Sequence, residues 1–136
     1  TFSSHNTLTS SKWKSLLNKV ELKKYMSSLD TSKGVLNKDY LAELTKIDQV
    51  LKKRGGKLTI FLPALMPHAT RNMGQLVTGI YLKKTLVNLT TFAEENNLEI
   101  LDASRPEHFG CEYDEFIYLH HALYTCYDKI FRAAAM

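Results

Sequence analysis

Glycine and proline are scarce, six and three residues in 136, which excludes collagen-like and Pro/Gly-rich low-complexity readings. No apolar run approaches the roughly 18 residues needed to span a bilayer. The longest, Leu58 to Met66, is interrupted by Thr59 and Pro63. There is no CxxC pair, no GxGxxG and no Walker sequence after a strand, and Gly74 and Gly79 form no phosphate-binding pattern, so the common metal, dinucleotide and nucleotide fingerprints are missing. The polar start Thr1-Phe-Ser-Ser-His-Asn lacks the charged and apolar blocks of a signal peptide. It also lacks an initiator Met, which suggests trimming and leaves a secreted or anchored parent open.

What is present is a globular composition, 44% hydrophobic and 24% charged. The length suits one domain, and residues 1–136 are expected to be the C-terminal part of a larger α/β domain. The net charge of +4 is uneven: residues 1–60 carry 12 basic and 5 acidic groups, residues 61–136 carry 6 and 9. A basic half raises a polyanion partner. The lysines are spread along helix-like stretches, however, which reads as solvated helix faces, and no nucleic-acid partner is expected. Trp13, Tyr25 and Tyr40 read as packing residues rather than a base-stacking platform.

Hydrophobic spacing lays out the elements. Ser10 or Ser11 caps a first helix with Trp13, Leu16, Leu17 and Val20 on one face, extended less regularly by Met26 and Leu29. Asp30 to Gly34 is a break. Asn37 caps a helix with Leu41, Leu44, Ile47 and Leu51 on one face that runs to about Arg54, and Gly55-Gly56 ends it. Lys57 to Pro63 reads as a buried parallel strand, Ala64 to Gly74 as a loop, and roughly Gln75 to Asn96 as a long helix with Leu82, Leu86, Leu89 and Ala93 on one face. The sequon at Asn88 lies inside that helix and carries no weight. Leu98 to Asp102 is a second strand, Ala103 to Asp114 a loop, and about Leu123 to Ala134 a closing helix burying Tyr127, Ile130 and Phe131. Strand, helix and strand make a βαβ crossover. The expected fold is therefore three-layer α/β, a small parallel sheet with flanking helices, a partial flavodoxin-like unit. Two strands are a thin sheet, so residues 1–9 add a strand or further strands lie outside this chain.

Several residues stand out chemically. His68 follows the first strand and Asp102 ends the second, so both lie at the carboxyl edge where open α/β sheets bind ligands; Asp102 also reads as a loop cap through Ser104 or a backbone N–H. Arg71-Asn72 reads as an anion contact or as solvated surface. Cys111 and Cys126 bracket the pair His120-His121. Two thiols 15 residues apart are compatible with a disulfide, with two buried free thiols, or with metal or catalytic use. Asp114, Glu115, His120 and His121 lack standard ligand spacing, and neither metal nor cofactor is expected.

Three blocks, Gly55-Gly-Lys-Leu-Thr-Ile-Phe-Leu-Pro-Ala-Leu-Met-Pro, Leu98-Glu-Ile-Leu-Asp-Ala-Ser and Phe109-Gly-Cys-Glu-Tyr-Asp-Glu-Phe-Ile-Tyr-Leu-His-His-Ala, follow the helix opened by Asn37-Lys-Asp-Tyr-Leu. Across residues 37–132 this resembles the C-terminal half of SGNH-hydrolase-like proteins of the bacterial cell envelope, a group that includes the D-alanyl-lipoteichoic acid transfer protein and the alginate O-acetylation proteins. The resemblance implies an esterase or O-acyltransferase acting on an acylated or ester-bearing envelope substrate, and an extracytoplasmic location. The family's nucleophile lies in Gly-Asp-Ser, which this chain lacks. Its closing Asp-x-x-His implies His121 as general base; His68 and Asp102, by their place at the sheet edge, and His120, beside His121, are expected at the substrate. The Asp position then falls on Tyr118, or on Ile117 if His120 is matched; neither is a carboxylate. The same resemblance implies that the loop doubles back and brings Cys126 to Cys111 as a disulfide. The chain is expected to be inactive alone, a missing N-terminal segment or partner chain completing the sheet. The alternative is a non-catalytic binding or assembly module with an SGNH-like or flavodoxin-like fold.

Overall fold

The computed structural model describes residues 9–18, 23–24, 33–73 and 77–135. The lead-in 1–8 and Val20, Tyr25, Met26 and Leu29 lie outside the described residues. Helix α1 (Ser10–Leu16) is capped by Thr9 rather than Ser10 or Ser11. Thr9 is itself extended, and its Oγ1 accepts the Lys12 N–H at 3.3 Å. Helix α2 (Lys38–Lys53) starts at Asn37 as expected, its Oδ1 accepting the Asp39 and Tyr40 N–H groups at 2.9 and 3.3 Å. It stops where Gly55 takes φ +78° and the Gly56 N–H returns to the Leu51 carbonyl at 2.8 Å. The apolar face of α2 is only partly covered: Ile47 is 47% exposed, whereas Asp48 is buried and paired with Lys52 at 2.6 Å.

Strand β1 (Thr59–Leu62) pairs in parallel with β2 (Glu99–Asp102), Ile60 opposite Ile100 and Leu62 opposite Asp102. Helix α4 (Val77–Glu95) connects them, ending before Asn97, which takes φ +53°. The expected loop after β1 contains a short helix, α3 (Ala69–Met73). It starts directly after Pro67 and the left-handed His68, and its Ala69 is fully buried. The expected loop after β2 is likewise more ordered. It holds two 3₁₀ turns, Pro106–Phe109 and Tyr113–Glu115, separated by left-handed Gly110. Proline at the first position of the former suits its fixed φ and absent N–H. An antiparallel pair, β3 (Phe116–Tyr118) and β4 (His121–Ala122), follows and is too short to show in periodicity. Helix α5 (Tyr124–Ala134) closes the chain.

Among the described residues the architecture is thus a two-stranded parallel sheet flanked by helices, with a second, antiparallel pair beside it. One side of β1 meets α5, the Phe61 ring lying 6.0 Å from Tyr127 and 5.4 Å from Phe131. Leu62 shares a cleft with Leu82 and Leu86 of α4. The core centre is not the sheet. Its largest fully buried side chains are Phe116, Met66, Leu119 and Ile130, with Pro106 and Cys126. Of the three α5 residues expected inside, Ile130 is buried, Tyr127 partly so, and Phe131 half-exposed, because α5 covers only one flank of β1. Cys111 and Cys126 are joined as a disulfide, which ties the second loop to the first turn of α5. Among the described residues, no helix is long and apolar enough to cross a membrane.

Candidate functional site

Among the described residues, three clefts lie around the loops that follow β1 and β2, and the chain is folded there by specific backbone contacts. The Ala103 N–H continues the strand pairing to the Leu62 carbonyl at 3.0 Å, and the Met66 N–H donates to the Leu119 carbonyl at 2.6 Å. The second bond fastens the β3–β4 hairpin to the loop after β1. Phe116 and Leu119 of the hairpin are buried, whereas His120 and His121, which follow Leu119 into the return strand, are exposed.

The first cleft, about 400 Å³, is lined mostly by Leu62, Pro63, Leu65, Leu82 and Leu86, with Thr70, Ser104 and His120 as its polar groups. An apolar cavity with a few polar groups is the common form of a small-molecule site. Ser104 is buried and committed. Its Oγ donates to Asp102 Oδ1 at 2.6 Å and its N–H to the same oxygen at 2.9 Å, and its carbonyl accepts Thr70 Oγ1–H at 2.9 Å. Asp102 therefore caps the loop, one of its two expected roles. His120 borders this cleft; His121, exposed on β4, packs its ring 4.2 Å from His120. Partial burial, and secondarily the neighbouring His121, lower the His120 pKa from its ordinary 6.5. The imidazole is thus a neutral base at pH 7.

No carboxylate occupies the Asp position of Asp-x-x-His, since Ile117 and Tyr118 are both partly exposed strand residues. Glu115 is buried and bonded to Lys129 of α5, and its other oxygen, Oε2, is buried without a partner. Asp114 lines a different cleft, with His68.

That second cleft, about 390 Å³, lies between His68, Glu107 and Tyr113, with Pro67, Cys111 and Glu112. Tyr113 stacks on Trp13 of α1, centroids 4.2 Å apart and planes within 9°. Burial, then the Glu107 charge, raise its pKa above 10.0, with Arg71 opposing. The third cleft, about 440 Å³, is lined by His68, Arg71, Arg105, Glu107 and His108. His68 stands between the two. It takes φ +64°, a strained conformation for a side chain with a Cβ. Its N–H donates to Glu107 Oε2 at 3.2 Å, and its Nδ1 lies 3.9 Å from Glu107 Oε1.

The structure thus brings His68, Asp102 and His120 to one sheet edge, but His68 and His120 line different clefts and Asp102 lines none of the three. Sequence reading missed Arg105, Glu107 and His108. They sit in a stretch without periodicity, and the only local signal was Pro106, which marks a turn. No family model, curated protein or solved structure matches this chain.

Proposed function

We propose that this chain is the C-terminal portion of an SGNH-like esterase or O-acyltransferase of the bacterial envelope. In this reading it forms part of a three-layer α/β unit, and the serine nucleophile comes from a missing N-terminal segment or a partner chain. One observation carries the reading: an imidazole, His120, borders an apolar cleft at the carboxyl edge of a parallel strand pair. In the complete site a serine attacks the ester carbonyl and the imidazole takes the hydroxyl proton. Backbone N–H groups stabilise the oxyanion, and the imidazole then protonates the leaving group. The apolar wall suits the acyl portion of the substrate. His120 is the better placed base, and His121 is its neighbour. The disulfide fits an oxidising, extracytoplasmic compartment.

The chain alone is expected to be inactive on p-nitrophenyl acetate, because it lacks Gly-Asp-Ser. Co-expression with the coding sequence upstream of Thr1 tests the reading. Activity that appears and is lost in His120→Ala supports it. Activity of the isolated chain that is lost in His121→Ala overturns the predicted inactivity and returns the base to His121. A second reading, a non-catalytic binding or assembly module, is favoured by Ile117 and Tyr118 standing where an orienting carboxylate is required. An upstream sequence without Gly-Asp-Ser after an apolar strand decides for it. A flat binding isotherm with DNA and RNA at about 50 mM salt is expected under either.

A further inference from the structure

We infer that the cleft between α3 and the Pro106–Phe109 turn is a binding site for the phosphate group of a small ligand, held by Arg71 and Arg105. The inference does not depend on the hydrolase reading.

Residues 61–136 carry more acids than bases, 9 against 6. Lys129 and Arg132 in that half are ion-paired, with Glu115 and Asp128. Arg71 and Arg105 nevertheless have no carboxylate within ion-pair distance among the described residues, and both face the same 440 Å³ cleft. Its one acid, Glu107, also lines the cleft but is engaged by His68 rather than by either arginine: Oε2 accepts the His68 N–H and Oε1 lies 3.9 Å from His68 Nδ1. Two guanidinium forks without a carboxylate partner therefore line one space, with the imidazoles of His68 and His108 beside them. Planar forks match phosphate oxygens in pairs, a geometry that lysines cannot offer.

The site is also preformed. Arg71 sits on α3 and Arg105 precedes the turn, 34 residues apart in the chain. The Thr70 hydroxyl, adjacent to Arg71, donates to the carbonyl of Ser104, adjacent to Arg105, at 2.9 Å. A second tie runs from the His68 N–H to Glu107. Both walls are thus pinned beside their arginines, and the strained His68 backbone is held by the same carboxylate. Preorganised walls reduce the ordering entropy of binding.

Two-dimensional ¹H–¹⁵N NMR of the full chain, titrated with inorganic phosphate at constant ionic strength, tests the proposal. Saturable shifts are expected at the amides of residues 68–72, 104, 105, 107 and 108, with a Kd on the order of 1 mM. Arg71→Gln and Arg105→Gln each weaken binding about tenfold, and the double variant loses it, while Arg→Lys variants lose less because charge remains without the fork. Both arginines are exposed, so unchanged far-UV circular dichroism is expected for every variant. Shifts scattered over the lysine-bearing helices, affinity preserved in the double Gln variant, acetate binding as tightly as phosphate, or no saturation would each overturn it.

Discussion

Removing the Cys111–Cys126 bridge should destabilise the chain by an amount the structure sets. The bridge closes a segment with a sequence separation of 15, for which the loop-entropy model gives about 3 kcal/mol. Both half-cystines are buried, Cys126 completely. In Cys111→Ala/Cys126→Ala the lost sulfurs also leave small gaps, so the total should be about 3–4 kcal/mol. A single domain holds roughly 5–15 kcal/mol, so the variant should still fold. With a urea m-value of about 2 kcal/mol/M, the midpoint should fall by about 1.5–2 M. Urea unfolding followed by circular dichroism, on oxidised wild type, reduced wild type and the variant, measures this. The loss should also be local. The segment between the cysteines contains β3 and β4, so amide exchange at residues 116–122 should speed up more than at β1 and β2. Coincident midpoints for oxidised and reduced protein would refute the reasoning. So would two alkylatable thiols in protein made under oxidising conditions.

His120 should titrate below 6.5 by NMR, and His121→Ala should raise its midpoint only in part, because burial, the larger cause, remains. The sign for stability follows: the unfolded chain binds the proton more readily, so His120 costs stability as pH falls through the window just below 6.5, visible as a lower urea midpoint at pH 5.5 than at pH 7 that His120→Ala reduces. Ile130→Ala, fully buried, should lose about 2–4 kcal/mol in the same urea assay, and Phe131→Ala, half-exposed on the same helix, clearly less. Gly34→Ala should lose more than about 1 kcal/mol: Gly34 takes φ +85°, an added Cβ would lie 2.9 Å from Lys84 Cβ, and its carbonyl accepts Asn88 Nδ2–H at 2.9 Å; a thermal melt unchanged from wild type would remove that contact from the account.

What the sequence made legible follows from what it encodes locally. Asn37, Gly55 and Asn97 act through hydrogen bonds or backbone freedom within a few residues, so both ends of α2 and the end of α4 could be read directly. The strand pair was legible because β1 and β2 are short apolar runs flanking one long helix. The first cap was missed by one residue because Thr9, Ser10 and Ser11 have equivalent side chains, and the backbone conformation that chooses among them is not a property of composition. Ile47 was placed inside because periodicity cannot see that Asp48, held by Lys52, occupies the covered face. The clefts were least legible. Glu107 meets His68 across 39 residues and Thr70 meets Ser104 across 34, and neither contact has a local sequence signature.

The sheet edge owes its chemistry to where the core lies. If the strands held the centre, the loops beyond them would be peripheral and their side chains loosely placed. Here the largest fully buried residues include Met66 after β1, Pro106 after β2, and Phe116 and Leu119 in the hairpin. The loops are thus packed as tightly as the elements they join. That packing explains how one short edge carries two different environments. α4 supplies leucines to the side where His120 looks in, and α3 with the Pro106 turn supplies guanidiniums to the other side, around His68. Thr70 and Ser104, joined by a hydrogen bond, line the apolar cleft and are followed in the chain by Arg71 and Arg105, which line the other; Ser104 is held in turn by two bonds to Asp102 Oδ1. An apolar surface and a guanidinium-bearing surface therefore lie a few residues apart, each held in place by packing and hydrogen bonds within the chain.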